Sequence, residues 1–215
     1  MDKYVLTVMM PIFNQPKLFK RGLDSIPADS RVEIIICDDG STDTSWANLC
    51  AYCDEHPDKN ITLLHFDDNR GVASAVNECM NAAQGKYMVI LASDGDYFMP
   101  GFVSRALDTW LTQNHDLIYF NIIDNNKHIR LLTPDTTKKY VGSVKFMKRS
   151  FVANLRYPVE RRRAEDVVFT QQILAKHPKE FFTNTIGKYY NYPRVGSLTW
   201  NARHGITDGI GNPLQ

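Results

Sequence analysis

Along the first ninety or so residues, short apolar runs alternate with stretches whose apolar positions recur every three or four. The runs Val5–Met10, Val32–Cys37, Ile61–Phe66 and Tyr87–Leu91 are rich in β-branched and aromatic residues and read as strands. Between them lie three helical patterns. One opens at Asn14-Gln15-Pro16 and places Leu18, Phe19, Leu23 and Ile26 on one face until Pro27. The second covers Asp43–Glu55. The third covers Gly71–Gln84, with Val72, Ala75, Val76, Cys79 and Ala83 inward and Gly85 as its stop. Strand and helix in alternation at this spacing predict an α/β fold: a mostly parallel sheet with helices on both faces and right-handed crossovers. Beyond Pro100 the pattern predicts a helix over Phe102–Gln113, a strand over Leu117–Ile123 and a turn at Asn125-Asn126. A short strand Ile129–Leu132, helices over Val144–Ala153 and Glu165–Ala175, and a late strand Ile186–Tyr192 follow.

The strand Val32–Cys37 runs directly into Asp38-Asp39-Gly40-Ser41-Thr42-Asp43, so a buried strand delivers carboxylates to its C-terminal end. Ligands of open α/β sheets bind at that edge. A second acid cluster, Ser93-Asp94-Gly95-Asp96, ends the strand Tyr87–Leu91 and falls on the same edge. Carboxylates there hold a base, a ribose or a hard divalent cation, and paired oxygens suit Mg²⁺ or Mn²⁺. The bland alternative is that Asp38, Asp39 and Asp43 only cap the next helix; the second cluster argues against it.

The chain of 215 residues carries a net charge of +1 that hides an asymmetry. Residues 1–126 sum to −9, residues 127–163 to +9 and residues 164–215 to +1. An acidic half suits a metal and a sugar, and a basic stretch suits an anionic acceptor. The basic stretch ends in Arg161-Arg162-Arg163, directly before Glu165-Asp166. Cys50-Ala-Tyr-Cys53 has redox-motif spacing but lies within a helical pattern, and no second pair completes a zinc site, so all four cysteines read as packed thiols. No apolar run approaches the roughly 20 residues of a membrane-spanning helix. The N-terminal residues enter a strand at once with no signal-peptide pattern, and the expected location is cytoplasmic, with peripheral contact at the inner membrane face.

Six segments in order resemble the GT-A-fold glycosyltransferases of the large inverting family 2. They are Val8-Met9-Met10-Pro11-Ile12-Phe13-Asn14, Cys37–Asp43 (D-D-G-S-x-D), Asn69–Asn77 (N-x-G-x-x-x-A-x-N), Gly85-Lys86-Tyr87 leading through Asp94-Gly95-Asp96 to Met99-Pro100-Gly101, Glu165-Asp166, and Tyr189–Ser197. The resemblance implies a single GT-A domain over residues 1–215, with a nucleotide-sugar half over 1–100 and an acceptor half over 101–200. It implies that Pro11, Phe13, Asn14, Asp38 and Asp39 hold the base and ribose of a UDP-sugar, that Arg70 and Asp94 contact the donor, and that Asp96, with Asp94, is the metal ligand. His204 is either a plain loop histidine or, as in some GT-A enzymes, a further metal ligand. Asp166 is implied as the general base, with Glu165 beside it, and Mn²⁺ or Mg²⁺ as the cofactor. Arg161, Arg162 and Arg163 face the acceptor, expected to be a lipid-linked or phosphorylated glycan. Two rival readings stay open: transfer to modified bases of DNA, and a non-catalytic nucleotide-sugar or nucleic-acid binding module. Two departures stand out. Gly95 falls where some relatives place the metal-binding carboxylate, and the Q-x-x-R-W motif of processive relatives is missing around Gln171-Gln172, which favours single addition.

Overall fold

The computed structural model describes residues 2–135, 142–161 and 164–191. Among the described residues, nine strands join in one sheet, flanked by six helices. The strands are β1 (Tyr4–Ile12), β2 (Val32–Asp38), β3 (Ile61–His65), β4 (Gly85–Ile90), β5 (Tyr97–Phe98), β6 (Leu117–Asp124), β7 (Ile129–Arg130), β8 (Lys145–Lys148) and β9 (Glu180–Tyr190). The helices are α1 (Phe19–Asp24), α2 (Ser45–Glu55), α3 (Val72–Ala82), α4 (Phe102–Asp108), α5 (Arg149–Val152) and α6 (Glu165–Leu174).

The sheet runs β3-β2-β1-β4-β8-β6-β9-β5, with β7 paired to β6. Its first four strands are parallel. All seven residues of β2 are buried, as expected of a strand covered on both faces. Ile12 pairs with Asp38, and Asp38 with His65, so β1, β2 and β3 end level with one another. The chain steps from β1 outward to β2 and β3, then returns to add β4 on the other side of β1. That reversal opens a crevice at the C-terminal ends of β1 and β4. The second half is mixed: β8 is antiparallel to β4 and β6, β9 is parallel to β6, and β5 is antiparallel to β9. Phe102 of α4 packs on Phe120 and Phe146 at ring distances of 5.0 and 5.8 Å and anchors this half.

The helix expected over Val144–Ala153 is instead strand β8 followed by the single turn α5. The edges of β4 and β6 offer unpaired backbone groups on both sides of Lys145–Lys148, and satisfying them outweighs local helical preference. The last strand is longer than expected, starting at Glu180 rather than Ile186. Helix α1 is only six residues, and the pattern over Phe102–Gln113 breaks after Asp108 into a 3₁₀ turn at Trp110–Thr112. No helix among the described residues is long and apolar enough to cross a membrane.

Candidate active site

The turn after β2 is built from its own side chains. Asp38 is fully buried; its Oδ1 accepts from the Ser41 hydroxyl, and its Oδ2 accepts from the Ser41 amide and pairs with His65 Nδ1 at 2.9 Å. Asp38 is thus the internal brace of the turn. Asp39, also buried, ties the end of β2 to its neighbours. Its amide donates to Ile12 O at 2.8 Å, tying it to the end of β1. Its carboxylate accepts from Arg70 N at 2.8 Å and Asn69 Nδ2 at 3.1 Å. Burial, with Asp38 alongside, outweighs these donors and holds its carboxyl above the usual range. Gly40 has φ +70°, and a Cβ there would lie 2.5 Å from the backbone of Asp68, so only glycine lets the Asn69-Arg70 loop come this close. Asn14, itself at φ +48°, receives the Ser41 hydroxyl as acceptor of its amide and accepts from Thr42 N at 2.9 Å. Pro11 and Phe13 lie half-buried on the same rim. The Arg70 guanidinium sits 4.4 Å over the Phe66 ring, on an exposed residue at the entrance to α3.

The turn after β4 is closed differently. Asp96 is fully buried, and so is Lys188 of β9; their Oδ2 and Nζ are 2.6 Å apart. Lys188 also donates to Ser143 Oγ at 2.8 Å. The second Asp96 oxygen accepts from Asn191 N at 2.8 Å, and Asn191 Nδ2 donates to Asp94 O at 2.6 Å. Asn191 therefore stitches the acidic turn to the end of β9. Gly95 has φ +99°, and a Cβ there would lie 2.6 Å from Asn191 Nδ2. Tyr97 and Tyr189 stack at 4.8 Å, with Arg21 3.9 Å over Tyr97.

Glu165 and Asp166 open α6, where free amides favour negative charge. Ala164 precedes them in the left-handed region, at φ +55°, which turns the chain sharply into the helix. Asp166 Oδ1 accepts from Val167 N at 2.8 Å, and burial pushes the Glu165 carboxyl up. One turn on, Thr170 accepts from Lys145 Nζ at 3.0 Å. Lys145 is fully buried, and loss of hydration pushes it down to about 7 despite the carboxylates of Asp166 and Glu180. Tyr157 stacks on Phe169 of α6 at 4.1 Å, and its buried hydroxyl has no hydrogen-bond partner among the described residues. Arg161 is exposed just ahead of α6. Arg162, Arg163 and His204 lie outside the described residues.

The acidic turn does not fit a divalent ion. One oxygen of Asp96 faces an ammonium and the other a backbone amide, and Gly95 has no room for a side chain. Among the described residues, no three His, Cys, Asp or Glu side chains converge on a metal position. The ligand role expected of Asp96 meets a carboxylate already neutralised by Lys188. In the sequence Lys145 reads only as part of the basic stretch, Asn191 only as part of the Tyr189–Ser197 segment, and Lys188 as an ordinary strand residue, so none carries a site role there. The available signal was a lysine within the apolar segment Ile186–Tyr190.

Residues 7–195 match the family described as glycosyl transferase family 2. An uncharacterized glycosyltransferase of Haemophilus influenzae is 26% identical over 211 residues, covering 87% of this chain and 82% of its own. The Escherichia coli enzyme WfgD, a UDP-Glc:alpha-D-GlcNAc-diphosphoundecaprenol beta-1,3-glucosyltransferase, is 28% identical over 130 residues, 59% of this chain and 49% of that one. Among solved structures, S. aureus TarS 1–349 in complex with UDP superposes with a TM-score of 0.75 at 17% identity, covering 87% of this chain and 60% of TarS 1–349. The mannosyltransferase PcManGT from Pyrobaculum calidifontis, in complex with GDP-Man and Mn²⁺, gives 0.72 at 21% identity over 93% of this chain and 60% of that one. The chain thus spans three fifths of the length of these two structures. The fold is of the GT-A type, and the chain belongs to glycosyl transferase family 2, as a glycosyltransferase.

Proposed function

We propose that the chain moves a sugar from a UDP-sugar to a hydroxyl of a lipid-linked or phosphorylated glycan, with inversion at the anomeric carbon. Residues 1–100 bind the donor and residues 101–200 the acceptor, at the cytoplasmic face of a membrane. The observation that carries this reading is the surroundings of Tyr190. Burial, then the negative charges of Asp96 and Asp94 and more weakly of Asp166, pushes its phenol up to about 12, so the acidic turn and the start of α6 both bear electrostatically on the end of β9, where Asn191 also ties the turn down through Asp96 Oδ1 and Asp94 O. A donor turn and a base within reach of one another are what single displacement requires.

In this reading Asp39, with the rim of Pro11, Phe13 and Asn14 braced from within by Asp38, receives the base and ribose, and Arg70 and Asp94 border the donor. The acceptor oxygen attacks the anomeric carbon as the bond to the diphosphate breaks. The hydroxyl proton passes to Asp166, and the nucleoside diphosphate leaves. Glu165, whose carboxyl burial pushes up, stands beside it as the second carboxylate at the start of α6. Arg161 to Arg163 attract the acceptor's phosphate. WfgD and a second E. coli relative, WfaP, act by name on a GlcNAc-diphosphoundecaprenol, which supports an anionic lipid acceptor.

The test uses melting temperature against UDP-, GDP-, CMP- and dTDP-sugars, then transfer to a GlcNAc-diphosphate lipid. A ligand of the folded state raises its stability. The reading expects UDP to stabilise the wild type and Asp166→Asn alike, with transfer abolished only in the variant. A variant that still transfers removes Asp166 as the base. Stabilisation by an oligonucleotide and by no nucleotide-sugar replaces the reading with the nucleic-acid one.

A further inference from the structure

The acidic turn already contains its own cation. Lys188 Nζ lies 2.6 Å from Asp96 Oδ2, and both side chains are fully buried. A buried ammonium is rare unless paired, and this one is held on a second side by Ser143 Oγ. It lies near the C-terminal end of β9, between β6 and β5, and full burial with two hydrogen bonds holds its ammonium in place. Asn191 completes the closure. Its amide takes the other Asp96 oxygen, its side chain takes Asp94 O, and it covers the Cα of Gly95.

Deepening the nucleotide-sugar reading, on which it rests, we infer that Lys188 and Asn191 seal this turn against divalent cations, and that UDP binds here without one. A metal ion approaching Asp96 would meet the ammonium on the same carboxylate, in a buried setting where bulk solvent screens the repulsion poorly. Gly95 cannot supply a replacement carboxylate, because φ +99° and Asn191 exclude a side chain. Lys188 also cancels one of the turn's two negative charges, so the diphosphate meets less repulsion at this edge than two free carboxylates would impose. Lys188 is a positioning residue: it acts through Asp96 and is too deeply buried to touch the donor.

Two measurements on the wild-type protein test this. Calorimetry with UDP is run in EDTA and again with MnCl₂, and Mn²⁺ alone is titrated by electron paramagnetic resonance. The expected result is UDP affinity equal within about twofold in the two buffers, and no stoichiometric Mn²⁺ binding. UDP bound more than about tenfold tighter with Mn²⁺ overturns the inference. If UDP binds in neither buffer, the donor reading fails, and the Mn²⁺ titration still decides the seal: one bound Mn²⁺ that Asp96→Asn removes overturns it, and none bound sustains it. Lys188→Met, which frees Asp96, is expected to gain Mn²⁺ binding; if it does not fold, the wild-type titrations stand alone.

Discussion

Asn77 and Tyr157 grip each other through both backbone groups of the tyrosine. Asn77 Nδ2 donates to Tyr157 O at 2.9 Å, and Tyr157 N donates to Asn77 Oδ1 at 2.8 Å, across 80 residues of chain. The pair links α3, whose entrance touches Asp39 through Arg70, to the segment that leads into Glu165 and Asp166. Asn77→Ala leaves two partly buried backbone groups unmatched and is expected to cost about 1–3 kcal/mol in urea denaturation. It is also expected to lower kcat while leaving UDP affinity unchanged. Equal losses in both would mean that Asn77 supports the whole fold and not the approach to α6.

Asp39, the residue proposed to receive the donor, occupies an electrostatically unfavourable position. Its folded pKa lies above the ordinary 3.8 because burial outweighs its donors. The ionised form is therefore disfavoured in the fold: this group's favourable contribution is complete below about pH 3.8 and is lost as pH rises through the raised value. Asp39→Asn is expected to weaken UDP binding at least about tenfold. The stability difference between the two proteins should move in the variant's favour as pH rises from about 3 to about 7. Parallel stability profiles would remove the burial argument.

Lys145 behaves in the opposite sense. Its folded value of about 7 lies below the ordinary 10.5, so between those values the unfolded chain binds more protons than the folded one. Stability from this group rises with pH through that window, and the cost of burying the charge is complete below about pH 7. Lys145→Met keeps an unbranched chain of similar reach but gives up the hydrogen bond to Thr170. It is expected to gain on the wild type at pH 7 relative to pH 10 by an amount on the order of a few kcal/mol, read from urea denaturation at the two pH values. A difference independent of pH would show that Lys145 stays charged inside the fold.

Gly95→Ala places a Cβ 2.6 Å from Asn191 Nδ2 at a backbone angle that L side chains avoid. The expected cost is about 1–3 kcal/mol. The hydrogen bond from Asn191 to Asp94 O should break with it, visible as faster amide exchange at Asn191. A fully stable Gly95→Ala protein would mean that the turn relaxes freely and that Asn191 does not hold it.

The parallel half was legible because each buried strand there declares itself locally. Val32–Cys37 is apolar apart from Glu33, and the carboxylates that follow it can only stand at the sheet edge. The mixed half was not. Lys145 and Lys148 break the apolar run around Phe146 and Met147, so β8 resembles a polar helix until β4 and β6 are known to flank it. The same limit applies at the site. Asp38, Asp39, Asp94 and Asp96 were readable as edge carboxylates, but their partners were not. His65 and Lys188 meet them only through the sheet, and Lys188 stands 92 residues from Asp96. What separates the inward-braced Asp38 from Asp39, or the neutralised Asp96 from a free ligand, is written in those distant contacts.

The position of β9 between β6 and β5 has a consequence for how the protein matures. Strands β1 to β4 and their helices are complete by Ile90 and pair only with one another until β8 arrives. The turn at Asp94–Asp96 receives Lys188 and Asn191 only after β9 has left the ribosome and been threaded into the sheet. Until then Asp96 is an uncompensated carboxylate with no ammonium to accompany it into the interior. Pairings this distant along the chain form late. A nascent chain would therefore complete the Asp39 rim well before the second acidic turn, and the insertion of β9 is the step that closes that turn.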